Sequence, residues 1–311
     1  MSTHAAQSEL LKWFRGIDLF SRLTGPIAEM TRLQQSLLFA ELSQIAYMPP
    51  RPASTCVRKI GFLESLYFDR DGAQAYRFRN EHDCVIVCRG TEPNEWNDVK
   101  ADANAVAVLA ETIGRVHSGF KQEVDDLWPI VEPVLADNEQ PLWFAGHSLG
   151  GAMATICAFR CKVSKICSSP EGLFTYGSPR VGDRAYVNYH RLVHYRWVNN
   201  NDIVTRVPPT WLGYHHAGHE MYLDYRGRVR EIEGWRRVFD RFRGFLRGLW
   251  RFNIDHFSDH SMERYIDYIH AAVLKEQEAM TPRMRCHEQG WNNGGRLRKT
   301  GGHASSRGEA A

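Results

Sequence analysis

The sequence is poor in cysteine: seven in 311 residues, at positions 56, 84, 88, 157, 161, 167 and 286. The number is odd, Cys84 and Cys88 are not a C-x-x-C pair, and no spaced His/Cys set has the form of a zinc site. A disulfide framework is therefore not expected. Cysteines inside apolar runs such as "CVIVC" read as buried free thiols, which suit a reducing, cytoplasmic compartment. No apolar run approaches the roughly 18 residues of a membrane-crossing helix. The start, "MSTHAAQSELLKWFRG", lacks the basic, apolar and small-residue succession of a secretory signal.

What is present is an ordinary globular composition, 43% hydrophobic and 24% charged, with ample material for a core. The net charge of +3 is unevenly placed. Residues 235–252 carry six arginines against Asp240, about +5, and residues 281–311 carry about +4, leaving the remainder near −6. The pattern divides the chain into an N-terminal helical segment over 1–50, a main domain over 51–280 and a basic tail over 281–311 expected to be disordered.

Helical spacing runs through "ELLKWF" and "LQQSLLFAELSQIAYM", ended by Pro49, Pro50 and Pro52. Two β-like runs follow, "KIGFLESLYFD" and "AQAYRFRN", split by the turn signal Asp71-Gly72. "CVIVCRG" reads as a buried central strand, then come a helix from Phe120, the strand "PLWFA", a small-residue helix from Leu149, and strands at "GLFTYGSP" and "RLVHYRWVNN". Strands alternating with helices predict an α/β fold, a mostly parallel central sheet with helices on both faces.

The chemistry centres on "WFAGHSLGGAMA", a G-x-S-x-G motif between an apolar strand and a helix. A serine exposed on a tight, strained strand-to-helix turn needs that context, and small residues at Gly146, Gly150, Gly151, Ala152 and Ala154 let helix and strand approach. Ser148 is the candidate nucleophile. The Leu149 N–H, at the start of the helix, can face developing negative charge. His147 is next to the serine in sequence but, as an adjacent residue, does not face it.

A serine nucleophile in this sheet type is followed in the chain by an acid and then a histidine. Asp202, in "RWVNNNDIVTRVPP", follows a strand at its carboxyl end, and its rival Asp183 reads as a helix cap. Of the later histidines, His215, His216 and His219 fall in a strand-like stretch and His270 in an amphipathic helix. His256 and His260, in "NIDHFSDHSME", remain; four apart, they would suit a metal site on a helix, or one of them a lone general base. A metal site would need further ligands.

Taken together, "VCRGTEP", "VHSGF", "GHSLGGAMA", "TYGSPRVGD", "NNNDIVTRVPP" and "DHSMERYI" resemble, in order, the motifs of the class 3 lipases, a fungal-lipase-like branch of the α/β-hydrolases. The resemblance covers roughly residues 55–275. It implies the α/β-hydrolase fold and a triad of Ser148, Asp202 and His260. It also implies an oxyanion hole from Leu149 and Thr91, the latter agreeing with the place of "CRGTEP" on a loop leaving an earlier strand. The implied activity is hydrolysis of lipid esters, with no metal and no organic cofactor. A phospholipase or lipid acyltransferase on the same triad, and a catalytically dead, membrane-binding hydrolase scaffold, are its rivals. The segment after Thr91, where secreted fungal members carry a helical lid, has no clear lid character.

"GWRRVFDRFRGFLRGLWRF" places Trp235, Phe239 and Phe242 on one helical face with Arg236, Arg237 and Arg243 around it. An apolar face with a basic rim suits an anionic membrane surface or a lid over the site. The arginines accompany no nucleic-acid-binding module, so nucleic acid is not the expected partner.

Overall fold

The uninterrupted apolar run at 84–88 does what its burial demands and becomes β3 (Cys84–Cys88), the strand on which the rest of the sheet is laid. The computed structural model describes residues 17–90, 106–111, 113–164, 168–189, 191–230 and 258–293, the residues from 281 onward as backbone. The chain divides into two compact units, Met1–Ala272 and Val273–Ala311. Of the second, the described residues belong to the end of a long helix, α6 (Met262–Asn293). The first expected helix, at "ELLKWF", lies outside the described residues.

Among the described residues, two α-helices, α1 (Arg32–Ile45) and α2 (Pro50–Ile60), stand ahead of β3 with a hairpin, β1 (Glu64–Arg70) with β2 (Ala73–Arg79). The predicted turn at Asp71-Gly72 is present, with positive φ at both residues (55° and 92°), as a two-residue hairpin requires. "KIGFLESLYFD" begins not as strand but as the last turn of α2, because Pro52, Ala53, Cys56, Val57 and Ile60 bury one face at helical spacing. The same prolines that end α1 open α2, where the missing N–H of a first-turn proline costs nothing.

After β3 the chain forms a short ribbon, β4 (Ala107–Leu109) with β5 (Arg115–His117), and helix α3 (Ser118–Ala136). There follow β6 (Leu142–His147), α4 (Leu149–Val163), β7 (Pro170–Tyr176), α5 (Arg184–Tyr189), β8 (His194–Asn199), β9 (His219–Leu223) and β10 (Val229–Arg230). The large sheet has the order β1-β2-β3-β6-β7-β8-β9-β10. Its centre, β3-β6-β7-β8-β9, is parallel, and the antiparallel pairs lie toward its two edges.

Both faces of the sheet are covered, as its unbroken apolar strands require. On one, Phe39 of α1 stacks on Phe174 of β7 with ring centroids 4.4 Å apart. On the other, Phe120, Val124, Leu127, Val131 and Leu135 of α3 join Phe144 and the small residues of α4 in one core. Truncating a core phenylalanine of this kind typically costs about 3–5 kcal/mol. A buried carboxylate ties the elements together: Asp83 accepts the Ile27 N–H and the Trp143 indole N–H, each at 2.8 Å.

One buried and one half-buried histidine give the fold an acid sensitivity. His194 of β8 is packed with its Nε2 2.9 Å from the Thr175 hydroxyl, and burial pushes its pKa down to about 3. His216 donates from Nε2 to the Thr205 carbonyl at 2.8 Å, and burial holds it well below 6.5. The unfolded chain binds a proton at each near pH 6.5, which the folded chain refuses. Their contribution is therefore complete above that pH and is lost as pH falls toward the folded values, at up to about 1.4 kcal/mol per unit for each. Buried carboxylates such as Glu41 and Asp83, whose pKa values are raised by burial, act in the opposite sense. The contribution of His194 is isolated by comparison with His194→Gln. The wild type should lose more of its urea midpoint between pH 7.5 and pH 5 than the variant does; equal losses would refute the assignment.

Candidate active site

The motif G-x-S-x-G falls where β6 meets α4. A Cβ on Gly146 would lie 2.2 Å from the Gly150 carbonyl oxygen, and one on Gly150 would lie 2.2 Å from the Cys88 carbonyl oxygen. The helix thus crosses both β6 and the end of β3 at backbone contact. That crossing forces the turn between them so tight that Ser148 takes φ 59°, ψ −131°. Such backbone costs a non-glycine residue on the order of 1–3 kcal/mol and persists only where its surroundings fix it. The consequence is a serine hydroxyl held off the carboxyl end of the sheet at the N-terminus of α4.

His260 meets it there. Its Nε2 lies 2.9 Å from Ser148 Oγ, and its Nδ1 lies 3.0 and 2.9 Å from the two oxygens of Asp202. Asp202 follows β8 and is fully buried, Ser148 and His260 nearly so. The carboxylate also accepts the Tyr265 hydroxyl at 2.7 Å and the Val204 N–H at 3.0 Å. Four donor contacts on one buried charge satisfy the demand that burial imposes. With Asp202 accepting from Nδ1–H, the bare Nε2 faces the serine proton, the tautomer a general base needs.

Three further elements shape the site. Gly177, at the end of β7, has φ 59°, and a Cβ there would fall 2.7 Å from Asp202 Oδ2 and 2.8 Å from the His260 ring. Asn199 donates from its side chain to the Asp259 carbonyl at 2.9 Å and from its backbone N–H to the Tyr265 hydroxyl at 2.9 Å. His260 closes a short 3-10 turn, Ser258–His260, and α6 begins two residues later. Asp259 does not reach the serine; its carboxylate meets Arg264 at 2.5 Å, one turn into that helix.

The structure brings together Ser148, Asp202 and His260, and sets Leu149 as the first residue of α4 beside them. Asp183 is elsewhere: it accepts the Tyr186 and Arg115 N–H groups at 2.8 and 2.9 Å, capping α5 as expected. His216 is held by Thr205, His219 is exposed at the start of β9, and His270 stacks on Phe20. Thr91, His256 and the segment holding Trp235, Arg236, Arg237, Phe239, Phe242 and Arg243 lie outside the described residues.

Sequence reasoning missed Tyr265, Asn199 and Gly177. Tyr265 had a local signal, five residues after His260 in the quoted "DHSMERYI", but its partner Asp202 is 63 residues away. His147, set aside as a base on its place in the sequence, lies beside the site: its ring touches the backbone of His260.

Known proteins carry the same frame. The family model described as Lipase (class 3) matches residues 68–211, which include Ser148 and Asp202. A lipase of Rhizomucor miehei is 34% identical over 172 residues, 51% of this chain and 46% of that protein. The toxin TseL of Vibrio cholerae is 29% identical over 194 residues, 48% of this chain and 30% of the toxin. The chain thus spans less than half the length of either. The solved structure of the Rhizomucor miehei triacylglyceride lipase superposes with a TM-score of 0.54 at 25% identity, over 62% of this chain and 81% of that one.

The geometry sets His260 between Ser148 and Asp202, the place of a general base. His260→Ala should lower ester turnover at least about 1,000-fold, while His256→Ala should keep most of it. Equal losses in the two would mean that the base is misassigned.

Proposed function

The chain belongs to the class 3 lipase family, and from that premise we propose that it is a serine carboxylester hydrolase acting on lipid esters through an acyl-enzyme. The observation that carries the reading is the hydrogen-bonded chain from Ser148 Oγ through His260 to the buried Asp202, set on a strained turn at a helix N-terminus.

In this reading His260 Nε2 takes the proton of Ser148 as its oxygen attacks the ester carbonyl. The carbonyl oxygen becomes an oxyanion. Leu149 N–H, at the N-terminus of α4, is one donor to it, and Thr91 is assigned as the other. Loss of one such donor commonly costs about 100- to 1,000-fold in turnover. Collapse of the tetrahedral intermediate expels the alcohol, which receives its proton from His260. Water then repeats the sequence on the acyl-enzyme and releases the carboxylic acid. Asp202, held by Tyr265 and Val204, keeps the imidazole in one tautomer and stabilises its cation. The chemistry calls on no metal and no organic cofactor.

The names of the Rhizomucor miehei relatives, a lipase and a triacylglyceride lipase, support acylglycerols as the substrate class over phospholipids. A panel of p-nitrophenyl esters, triglycerides and phospholipids tests this. Acylglycerols should be cleaved, and Ser148→Ala should abolish that cleavage, by about 10,000-fold or more. Cleavage of phospholipids alone would overturn the substrate class, and undiminished turnover by Ser148→Ala would overturn the mechanism.

We further propose that residues 234–252 present the chain to an anionic membrane surface, a reading supported by the alternation of aromatic and arginine residues in that segment. Flotation with vesicles containing phosphatidylserine should weaken when Arg236, Arg237 and Arg243 become Glu, and unchanged flotation would refute it. A reducing, cytoplasmic location, peripheral to such a membrane, is supported by Cys56, Cys84, Cys88 and Cys157, all buried and in no disulfide.

A further inference from the structure

His147 carries a hydrogen-bond pattern that the hydrolytic cycle does not use. Its Nε2 lies 2.8 Å from the backbone carbonyl oxygen of His260, and its Nδ1 lies 2.9 Å from the hydroxyl of Tyr47. A carbonyl oxygen only accepts, so the proton sits on Nε2. Nδ1 is then the bare nitrogen, and the Tyr47 hydroxyl donates to it. One tautomer satisfies both contacts: the carbonyl selects it, and the Tyr47 hydroxyl holds the ring in place.

Tyr47 comes from an unexpected quarter. It lies just past the end of α1, upstream of the residues 68–211 that carry the family match. It nevertheless reaches the centre of the site. The ideal Cβ of Gly90, on the loop that leads to Thr91, would fall 2.5 Å from the Tyr47 hydroxyl and 2.6 Å from the His147 carbonyl oxygen. The Arg89 guanidinium lies 5.7 Å from the centre of the Tyr47 ring.

The geometry points to Tyr47 and His147 as a positioning pair, in which Tyr47 orients His147 and His147 clamps the backbone of the catalytic base His260. This inference rests on the hydrolase reading above and deepens it. His260 hangs from a single-turn 3-10 segment, Ser258–His260, and without a hold on its main chain the imidazole can swing about its own Cα. Asn199 holds the preceding carbonyl, of Asp259, and His147 holds that of His260. Because His147 is the residue before Ser148, the second clamp ties the backbone of the base to the strand that carries the nucleophile. The distance between base and nucleophile is thereby set within one hydrogen-bonded loop.

The clamp must stay uncharged to be useful. The rings of His147 and His260 have centroids 4.4 Å apart, so a protonated His147 would oppose the imidazolium that His260 becomes during the reaction. Burial and the neighbouring His260 hold His147 well below its ordinary pKa, consistent with a neutral ring.

The test is the hydrolysis of p-nitrophenyl butyrate by four forms of the full chain: wild type, Tyr47→Phe, His147→Leu and His147→Gln. Glutamine retains an N–H at about the place of Nε2, while leucine fills the space without a donor. Tyr47→Phe should lower kcat about tenfold, the value of one neutral hydrogen bond, with KM unchanged. His147→Leu should lower kcat about 100-fold, the usual penalty of misplacing a reacting group by about 1 Å, again at constant KM. His147→Gln should recover most of that loss at a melting temperature no higher than that of the leucine variant. Full activity in His147→Leu, or equal loss in the leucine and glutamine variants, would overturn the clamp. If His147→Leu fails to fold, Tyr47→Phe decides alone, and unchanged kcat there refutes the pair. A wild type without activity would instead bring down the hydrolase reading, and this inference with it.

Discussion

The carboxylate of Asp202 is the constraint on which the site depends. It has no exposed surface, and a charge buried without partners costs several kcal/mol or more. The fold supplies partners from three places: the Val204 N–H from the turn it sits in, the Tyr265 hydroxyl from α6, and His260 Nδ1 from the turn before that helix. Burial of one charge thus determines where the chain must return after more than fifty residues. It also fixes which imidazole nitrogen keeps its proton, and so which nitrogen meets the serine. Gly177 leaves the room in which these groups converge.

A second constraint acts on Ser148. The strain at Ser148 is paid for by packing: α4 lies against β6 and β3 at contacts that would admit no Cβ on Gly146 or Gly150. The helix cannot retreat, because its Ala152, Met153, Ile156 and Phe159 are buried in the core shared with α3. Rigid packing on one side of the sheet and hydrogen bonding on the other therefore meet at the serine. The two sides are joined by His147, whose backbone belongs to β6 and whose ring reaches the main chain of His260.

Much of this was legible in the sequence where the signal is local. The continuous apolar runs foretold the parallel strands, Asp71-Gly72 the hairpin, and the glycine spacing around Ser148 the strand-to-helix turn. Chain order and motif resemblance led to Asp202 and His260, though the intervening stretch gave no spacing rule of its own. Contacts between distant segments were not legible. Tyr265 reads as one more aromatic in an amphipathic helix, Tyr47 as one of the last apolar residues of another, and His147 as a bystander beside the serine. Their roles depend on which segments the sheet order brings together. The strand expected from Lys59 failed for a local reason: apolar spacing over Ala53–Ile60 is helical, and the β-like composition beyond Gly61 masked where one pattern gave way to the other.

Burial and strain together set Ser148 apart, as the proposed nucleophile, from the other serines of this chain. The most direct measurement is active-site labelling with a fluorophosphonate, followed by peptide mass spectrometry to locate the adduct. One adduct per chain is expected, on Ser148, which disappears in Ser148→Ala and forms much more slowly in Asp202→Asn. No adduct on the wild-type chain, or labelling that persists undiminished in Ser148→Ala, would contradict it.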